Sequence, residues 1–376
     1  MKEIKDIIHG IITIDQELLN IIDTPIFQRL GRVKQLTSAE YVFPGSRHTR
    51  KEHCIGAMFL ATKYSQVLNL NDDDKKVIEI AALLHDIGHG SFSHSYDSII
   101  YILLYPGTHK GHDKHRHYIL DNYFPSLKYK DSIKNVWNGK DKVLSAILNG
   151  PLSVDRIDFV RRDTFYTGTE HFGYIDADRI INSASIYTKE DGTRVLAYDE
   201  KIISDAIQGL TSRLYMYNKV YLHKTVIAAA ILIEAALKSS VECLELVEKT
   251  KNLDDFIHIT DSILDIILSS KDPELEQSKS YIKRLYSRDL PKMVSEDIIY
   301  LTPEIKTKHL PGITIDQDKI YWVGRVLTND FASEFDKYDI HINNNKNEYI
   351  PFRDFWREKY PFYQIETYYI KRIYKL

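Results

Sequence analysis

Nine of the fifteen histidines fall between His48 and His117, and several stand beside Asp or Glu. The densest stretch runs Ala81-Ala82-Leu83-Leu84-His85-Asp86-Ile87-Gly88-His89-Gly90 and continues to His94. An apolar helix that leads straight into imidazoles and a carboxylate, and is then broken by glycine, holds donor atoms rigidly against a buried support. Imidazole and carboxylate together suit a divalent transition metal, and two of each leave coordination positions for water and substrate. Zinc-finger spacing and H-E-x-x-H are both absent, which excludes those two zinc arrangements. A lone His-Asp pair is weak evidence, because most such pairs are surface or satisfied core groups.

The neighbouring residues strengthen it. In His48-Thr49-Arg50-Lys51-Glu52-His53 a cation, Arg50, stands one helical turn before a candidate ligand, His53, so both can share a face. Downstream, Asp155, Phe159 and Asp163 recur at i, i+4 and i+8, one stripe of a helix that can carry a metal ligand, a pocket wall and a sugar contact in line. The bland alternative is a solvated helix with Asp158 and Arg162 as an ordinary i, i+4 pair. The histidine cluster outweighs it.

These residues need elements to hold them. Thr24-Pro25 fits an N-cap followed by proline at the first helical position and predicts a helix over 25–35. Residues 41–43 read as a short extended piece stopped by Pro44-Gly45, with a second helix beginning near His48. Helical periodicity continues over 51–68, 73–84, 143–149, 154–162, 201–237 and 253–268. Past Leu301 the pattern changes: prolines stand at 303, 311, 351 and 361, and residues 319–326 and 338–342 alternate as strands do. Residues 343–348 read as an exposed turn. The basic, aromatic tail 368–376 reads first as a solvated edge strand, and second as a contact for a nucleotide or a neighbouring subunit.

The chain's 376 residues, 43% of them apolar, are enough for one large helical domain and a smaller lobe. A net charge of -3, from 50 basic and 53 acidic residues, argues against a protein that coats nucleic acid. Only Cys54 and Cys243 occur, too few for a disulfide framework, which favours a reducing compartment. The first fifteen residues mix charges with isoleucines and do not read as a signal peptide, so the expected location is intracellular, in cytoplasm or nucleus. The longest apolar run, 226–233, is followed by Glu234 and fits a buried core helix, so no membrane association is expected.

Several runs carry a specific resemblance. Ile22-Asp23-Thr24-Pro25-Ile26-Phe27-Gln28-Arg29-Leu30, Lys34-Gln35-Leu36, Tyr41-Val42-Phe43-Pro44-Gly45, Arg50-Lys51-Glu52-His53, His85-Asp86-Ile87-Gly88-His89-Gly90, Phe92-Ser93-His94 and Thr260-Asp261 closely resemble the HD-domain deoxynucleoside triphosphate triphosphohydrolases. The match is strongest to the vertebrate type that joins a sterile alpha motif to such a domain, and that motif is expected to be lacking here. The resemblance implies a mainly α fold, with an HD-type catalytic core over 1–240 and a C-terminal helical and mixed α/β lobe over 241–376 that can serve oligomerisation. It implies hydrolysis of a dNTP to deoxynucleoside and inorganic triphosphate.

Carried over one position at a time, His53, His85, Asp86 and Asp155 match the metal ligands. Arg50, His89 and His94 match groups around the phosphates, and Asp97 matches the carboxylate that supports His94. His112-Asp113 resembles the family's catalytic His-Glu pair with a shorter acid, with His115 and His117 close by. Arg156 and Arg213 match cations that hold the triphosphate. Gln35, with Leu36 beside it, and Asp163 match the grip on the sugar 3′-hydroxyl, and Tyr221 matches the aromatic residue that leaves no room for a 2′-hydroxyl. His94, held by Asp97, is suited to protonate the departing 5′-oxygen. The implied metal is iron or manganese, with zinc or magnesium also compatible. The implied assembly is a dimer or tetramer.

There are departures. Phe159 stands where the family has a tyrosine, and Leu222 where it has a glutamine near the base. Gly31 and Lys5 replace an arginine and an asparagine of a regulatory guanine-nucleotide site, which weakens any expectation of activation. Asp23 and Gln28, retained there, read equally well as helix-cap and surface residues. The rival readings are an HD phosphodiesterase or nuclease acting on cyclic nucleotides or single strands, and a non-catalytic nucleotide sensor.

Overall fold

A computed structural model describes residues 1–108, 110–300, 312–316, 319–326, 335–344, 346–359 and 368–375. A hairpin of β1 (Lys2–Asp6) and β2 (Gly10–Ile14) opens the chain. The helical core follows as α1 (Gln16–Ile22), α2 (Pro25–Gln28), α3 (Arg50–Val67), α4 (Asp72–Leu83), α5 (His94–Tyr96), α6 (Ile102–Leu104), α7 (Gly111–Asn122), α8 (Lys130–Trp137), α9 (Lys142–Asn149), α10 (Val154–Thr167) and α11 (Ala177–Asn182). A second hairpin, β3 (Ala184–Thr188) and β4 (Arg194–Asp199), precedes α12 (Ile203–Met216) and α13 (Lys224–Ser240). Then come α14 (Leu246–Lys251), α15 (Leu253–Phe256), α16 (Ile263–Ser269) and α17 (Glu276–Tyr286). The C-terminal part holds β5 (Lys292–Tyr300), β6 (Gly312–Asp316), β7 (Lys319–Val326), β8 (His341–Asn343), β9 (Tyr349–Pro351), α18 (Phe352–Lys359) and β10 (Tyr368–Lys375). The fold is mainly α with a smaller strand-bearing C-terminal region, as expected.

Local chemistry explains the helix starts. Asp15, Thr24, Asn71, Asp141 and Ser153 each accept a backbone N–H from the first turn of the helix that follows, as N-caps do. The centre of the core is α13, whose Val226, Ile227, Ile231, Leu232, Ile233 and Leu237 are buried on several sides. Among the described residues no single helix is long and apolar enough to cross a membrane; α12 and α13 would pass only as a pair, and they are bent by 62°.

Several expectations need correction. The helix expected over 25–35 leaves the α conformation after Gln28, passes through a 3-10 turn at Arg29–Arg32, and becomes extended so that Lys34 bridges Thr49 and the Gln35 N–H reaches His48 O. Gly31 in that turn lowers helix propensity, and the extended ladder satisfies the backbone instead. Residues 41–43 are not extended; the chain makes a 3-10 turn at Ala39–Tyr41. The helix expected over 201–237 breaks at a π-helical turn, Tyr217–Tyr221, after which the His223 side chain caps α13. That over 253–268 breaks between α15 and α16, where Asp261 N–H turns to Arg32 O. Periodicity alone does not register such breaks, because the apolar spacing continues through them.

The two hairpins were not anticipated. Strand 319–326 is present as β7, whereas 338–342 is strand only from His341. Pro303, Pro311 and Pro361 lie outside the described residues, as does Asn345 within the expected turn. The tail is not an edge strand: β10 is central in the order β5-β10-β7-β6. Its Ile370 and Tyr374 pack with Ile227 and Ile231 of α13, and Arg372 bonds Leu222 O and Glu296. In the other sheet, β8 pairs in parallel with β4, so strand pairing crosses residue 240.

Candidate active site

Three helices bring the four candidate ligands together. His53 lies on the first turn of α3, His85 and Asp86 just past the end of α4, and Asp155 on the first turn of α10. His53 Nε2 is 3.1 Å from His85 Nε2 and 3.1 Å from Asp155 Oδ1. His85 Nε2 is 3.5 Å from both Asp86 Oδ1 and Asp155 Oδ1, and Asp86 Oδ2 is 3.9 Å from His53 Nε2. Ligand atoms about 2.1 Å from a shared ion stand roughly 3 Å apart, the spacing seen between these nitrogens.

The far nitrogens set the direction of the near ones. His85 Nδ1 is 2.7 Å from Ala82 O, and His53 Nδ1 is 2.8 Å from Asp158 Oδ2. A carbonyl and a carboxylate only accept, so each Nδ1 carries a hydrogen and each ring turns its Nε2 to the common point, where a bound cation would take the lone pair in place of a proton. Two lone pairs and two carboxylates facing one another require positive charge between them. Burial disfavours charge on His53, yet hydrogen bonds to Asp155 and Asp158 more than offset it and push its pKa up to about 10. Burial would raise Asp86 and Asp155, but Arg50 and His85 beside Asp86, and His53 and His85 beside Asp155, hold both carboxyls well below the usual range. The residues fit a divalent cation by donor type, direction and charge.

Asp158 belongs to the outweighed alternative of a solvated pair with Arg162, and its surroundings rule that alternative out. It is fully buried, accepts from His9 Nε2 at 2.6 Å as well as from His53, and is forked by Arg162, which also reaches Asp6. Gly56 of α3 makes room, since a Cβ there would lie 1.9 Å from Asp158 Oδ1. Gly56 is a signal the sequence offered for this packing.

A second cluster abuts the first through Asp86. The Arg50 guanidinium bonds Asp86, and His89 Nε2 is 3.4 Å from Asp86 Oδ1. Burial, then Arg50 and His112, hold the His89 imidazole well below its ordinary value, so it is neutral. His112 stacks on His89 with centroids 3.9 Å apart. Asp97 accepts the His112 backbone N–H at 3.0 Å and lies 2.6 Å from His112 Nδ1, but only 3.4 Å from His94 Nδ1. Asp97 therefore orients His112 first and His94 second. The His94 side chain is 77% exposed. Asp113 is 3.7 Å from His112 Nε2 and 3.0 Å from Arg116. His115 is buried against Phe256 and bonds Tyr105, and His117 packs on Trp137, so neither joins the cluster. The donor atoms of His89, His94, Asp97 and His112 lie within 4.8 Å of one another.

The third group is linked to Asp163. Tyr221 Oη donates to Asp163 Oδ2 at 2.6 Å, and His48 Nε2 is 2.7 Å from Asp163 Oδ1. Burial and the Asp163 carboxylate push the Tyr221 hydroxyl well above its ordinary value, which keeps it protonated. Phe159 lies between, 6.4 Å from both His53 and Tyr221 by centroid, so the stripe Asp155, Phe159, Asp163 runs from one group to the other. Arg213 sits over the Tyr217 ring at 5.5 Å, Arg156 donates its backbone N–H to Ser153 Oγ, and Leu36 packs partly buried on the core. Gln35 Oε1, His89 Nδ1 and Arg213 Nε are buried without a hydrogen-bond partner among the described residues. Asp97 and Tyr221 both sit in π-helical turns, which recur at functional sites.

Comparison with known proteins relates the chain to two family models and several named relatives. The HD-domain family matches residues 50–155, and the HD-associated region matches residues 175–299. A Dictyostelium discoideum protein named deoxynucleoside triphosphate triphosphohydrolase SAMHD1 homolog is 28% identical over 374 residues, covering 93% of this chain and 68% of its own length. Human deoxynucleoside triphosphate triphosphohydrolase SAMHD1 is 26% identical over 79% of this chain and 55% of its own length. An uncharacterised Methanocaldococcus jannaschii protein is 34% identical over 70% of this chain and 54% of its own length. The chain thus spans about half to two thirds of the length of these relatives. With an HD domain followed by its associated region, and with SAMHD1-type relatives along most of its length, the chain belongs to the HD superfamily of phosphohydrolases.

Proposed function

We propose that the protein hydrolyses deoxynucleoside triphosphates to deoxynucleoside and inorganic triphosphate, with a divalent cation held by His53, His85, Asp86 and Asp155. The observation that carries this reading is the convergence of those four side chains beside Arg50, with Asp86 shared between the candidate ligand set and the second histidine cluster. A divalent cation there supplies Lewis acidity at a phosphoryl group and makes water more acidic. In the reaction a water oxygen bonds to the α-phosphorus, the bond from that phosphorus to the 5′-oxygen breaks, and the new oxygen leaves with the triphosphate.

The chain's own residues do the remainder. Arg50, Arg156 and Arg213 offset charge on the triphosphate, and neutral His89 offers it a hydrogen bond. Asp97 holds the Nδ1–H of His112. His94, exposed and less tightly held by the same carboxylate, delivers a proton from its imidazole to the departing 5′-oxygen. Asp163, oriented by His48 and Tyr221, and Gln35 bind the sugar 3′-hydroxyl, while the Tyr221 ring closes the space a 2′-hydroxyl would need. Phe159 supplies a wall with no hydroxyl. Similarity to proteins named as SAMHD1 triphosphohydrolases supports the substrate class. A dimer or tetramer is the proposed assembly, as the resemblance in the sequence implies, and iron or manganese is the proposed ion.

Incubation of the purified protein with each dNTP and manganese tests the reading. Equal amounts of deoxynucleoside and inorganic triphosphate are expected. Release of pyrophosphate or phosphate would mean that a different bond of the dNTP is cut; turnover of cyclic nucleotides or single strands instead would assign it to the phosphodiesterase class, and binding without turnover to a nucleotide sensor.

A further inference from the structure

Asp261 lies between α15 and α16, within the HD-associated region. Its Oδ2 accepts the Lys34 backbone N–H at 2.9 Å, and its Oδ1 accepts the Phe92 backbone N–H at 2.7 Å. Each of these amides stands one residue before a group of the candidate site. Lys34 precedes Gln35. Phe92 precedes Ser93, whose Oγ accepts from Arg50 Nε at 2.8 Å and donates to Lys34 O at 2.9 Å. Asp261, Phe92, Ser93 and Lys34 thus close a ring of bonds, with Arg50 held on one side and Gln35 on the other.

The ring has work to do. Phe92 and Ser93 both have φ of 54°, a conformation that non-glycine residues keep only where their surroundings over-determine it. From the opposite side, buried Arg29 bonds Ile87 O, His89 O and Ile259 O, so the same C-terminal segment braces the whole HD loop. The pair of amides also explains the residue type. Two N–H donors converge on one side chain, and a carboxylate offers each its own oxygen; asparagine would set its amide hydrogens against one of them.

We propose that Asp261 is a positioning residue, which locks the Phe92–Ser93 turn to the Lys34–Gln35 segment and so sets Arg50 toward phosphate and Gln35 toward sugar. This rests on the reading of Arg50 and Gln35 as substrate contacts.

The test compares wild type, Asp261→Asn, Ser93→Ala and the double variant, all manganese-loaded. It uses inorganic triphosphate as the binding probe and amide hydrogen exchange as a substrate-free readout. Asp261→Asn is expected to keep its manganese content, to speed exchange at the Lys34 and Phe92 amides, and to weaken triphosphate binding roughly tenfold. KM for dNTP should rise by more than kcat falls. The double variant should bind little worse than the weaker single variant, because both substitutions cut one ring. Triphosphate binding equal to wild type, or losses that simply add, would overturn the proposal. Should Asp261→Asn not fold, Ser93→Ala decides alone: unchanged triphosphate affinity overturns it. A wild-type protein that binds no triphosphate instead overturns the underlying reading of Arg50.

Discussion

Asp158 Oδ2 takes the Nδ1–H of His53 at 2.8 Å, and that single contact turns the other imidazole nitrogen of His53 toward His85 and Asp155. The carboxylate is itself held by His9 and Arg162. Outer partners of this kind typically contribute 10- to 100-fold in metal affinity. Asp158→Asn is therefore expected to weaken manganese binding by about that factor, measured by chelator competition below the unfolding temperature. An unchanged affinity would show that Asp158 serves only the fold.

Gly88 lets α7 approach the HD loop. A Cβ at this position would lie 2.2 Å from His112 O and 2.6 Å from Arg116 N, both backbone atoms, so α7 would have to move. Gly88→Ala should lower kcat at least roughly tenfold by displacing His112 while the manganese content stays at the wild-type level. Full activity with retained metal would remove His112 from the reaction.

The Tyr221 hydroxyl and ring make separable contributions. Tyr221→Phe deletes the 2.6 Å bond to Asp163 and leaves the ring, so kcat/KM for dNTP should fall by about 1 kcal/mol in transition-state terms with little change in preference for deoxyribose. Tyr221→Ala should instead narrow the gap between dNTP and NTP. The ratio of the two kcat/KM values is the measurement, and an unaltered ratio in Tyr221→Ala would show that another group excludes the 2′-hydroxyl.

Acid should destabilise the fold through His115. Burial, aided by the nearby Arg29, holds its imidazole down at about 3 against an ordinary 6.5, so the folded protein keeps it neutral while the unfolded chain protonates it. Its contribution is complete above pH 6.5 and is lost as pH falls toward 3, at up to about 1.4 kcal/mol per pH unit. Urea unfolding of wild type and His115→Phe at pH 7 and pH 5 should show a smaller loss for the variant. Equal losses would place the acid sensitivity elsewhere.

Much of this was legible before the structure. The Thr24 cap, α3, α4 and α10, and the stripe Asp155, Phe159, Asp163 follow from local spacing, and local spacing fixes which residues share a helix face. The part Asp158 plays was not legible, because its burial depends on the β1–β2 hairpin folding back and on Gly56 admitting it, neither of which periodicity encodes. The contact of Asp97 with His94 is present, and its shorter contact with His112 was not legible, because His112 is brought close only by the loop that follows α6. The central place of β10 likewise comes from packing on α13, which a tail read in isolation cannot reveal.

The most direct measurement is metal stoichiometry. Equilibrium dialysis of the purified protein against manganese should give one tightly bound ion per chain, and His85→Ala and Asp155→Ala should each lose it while retaining the wild-type far-ultraviolet circular dichroism. Equal, tight binding in wild type and both folded variants would contradict the account at its centre.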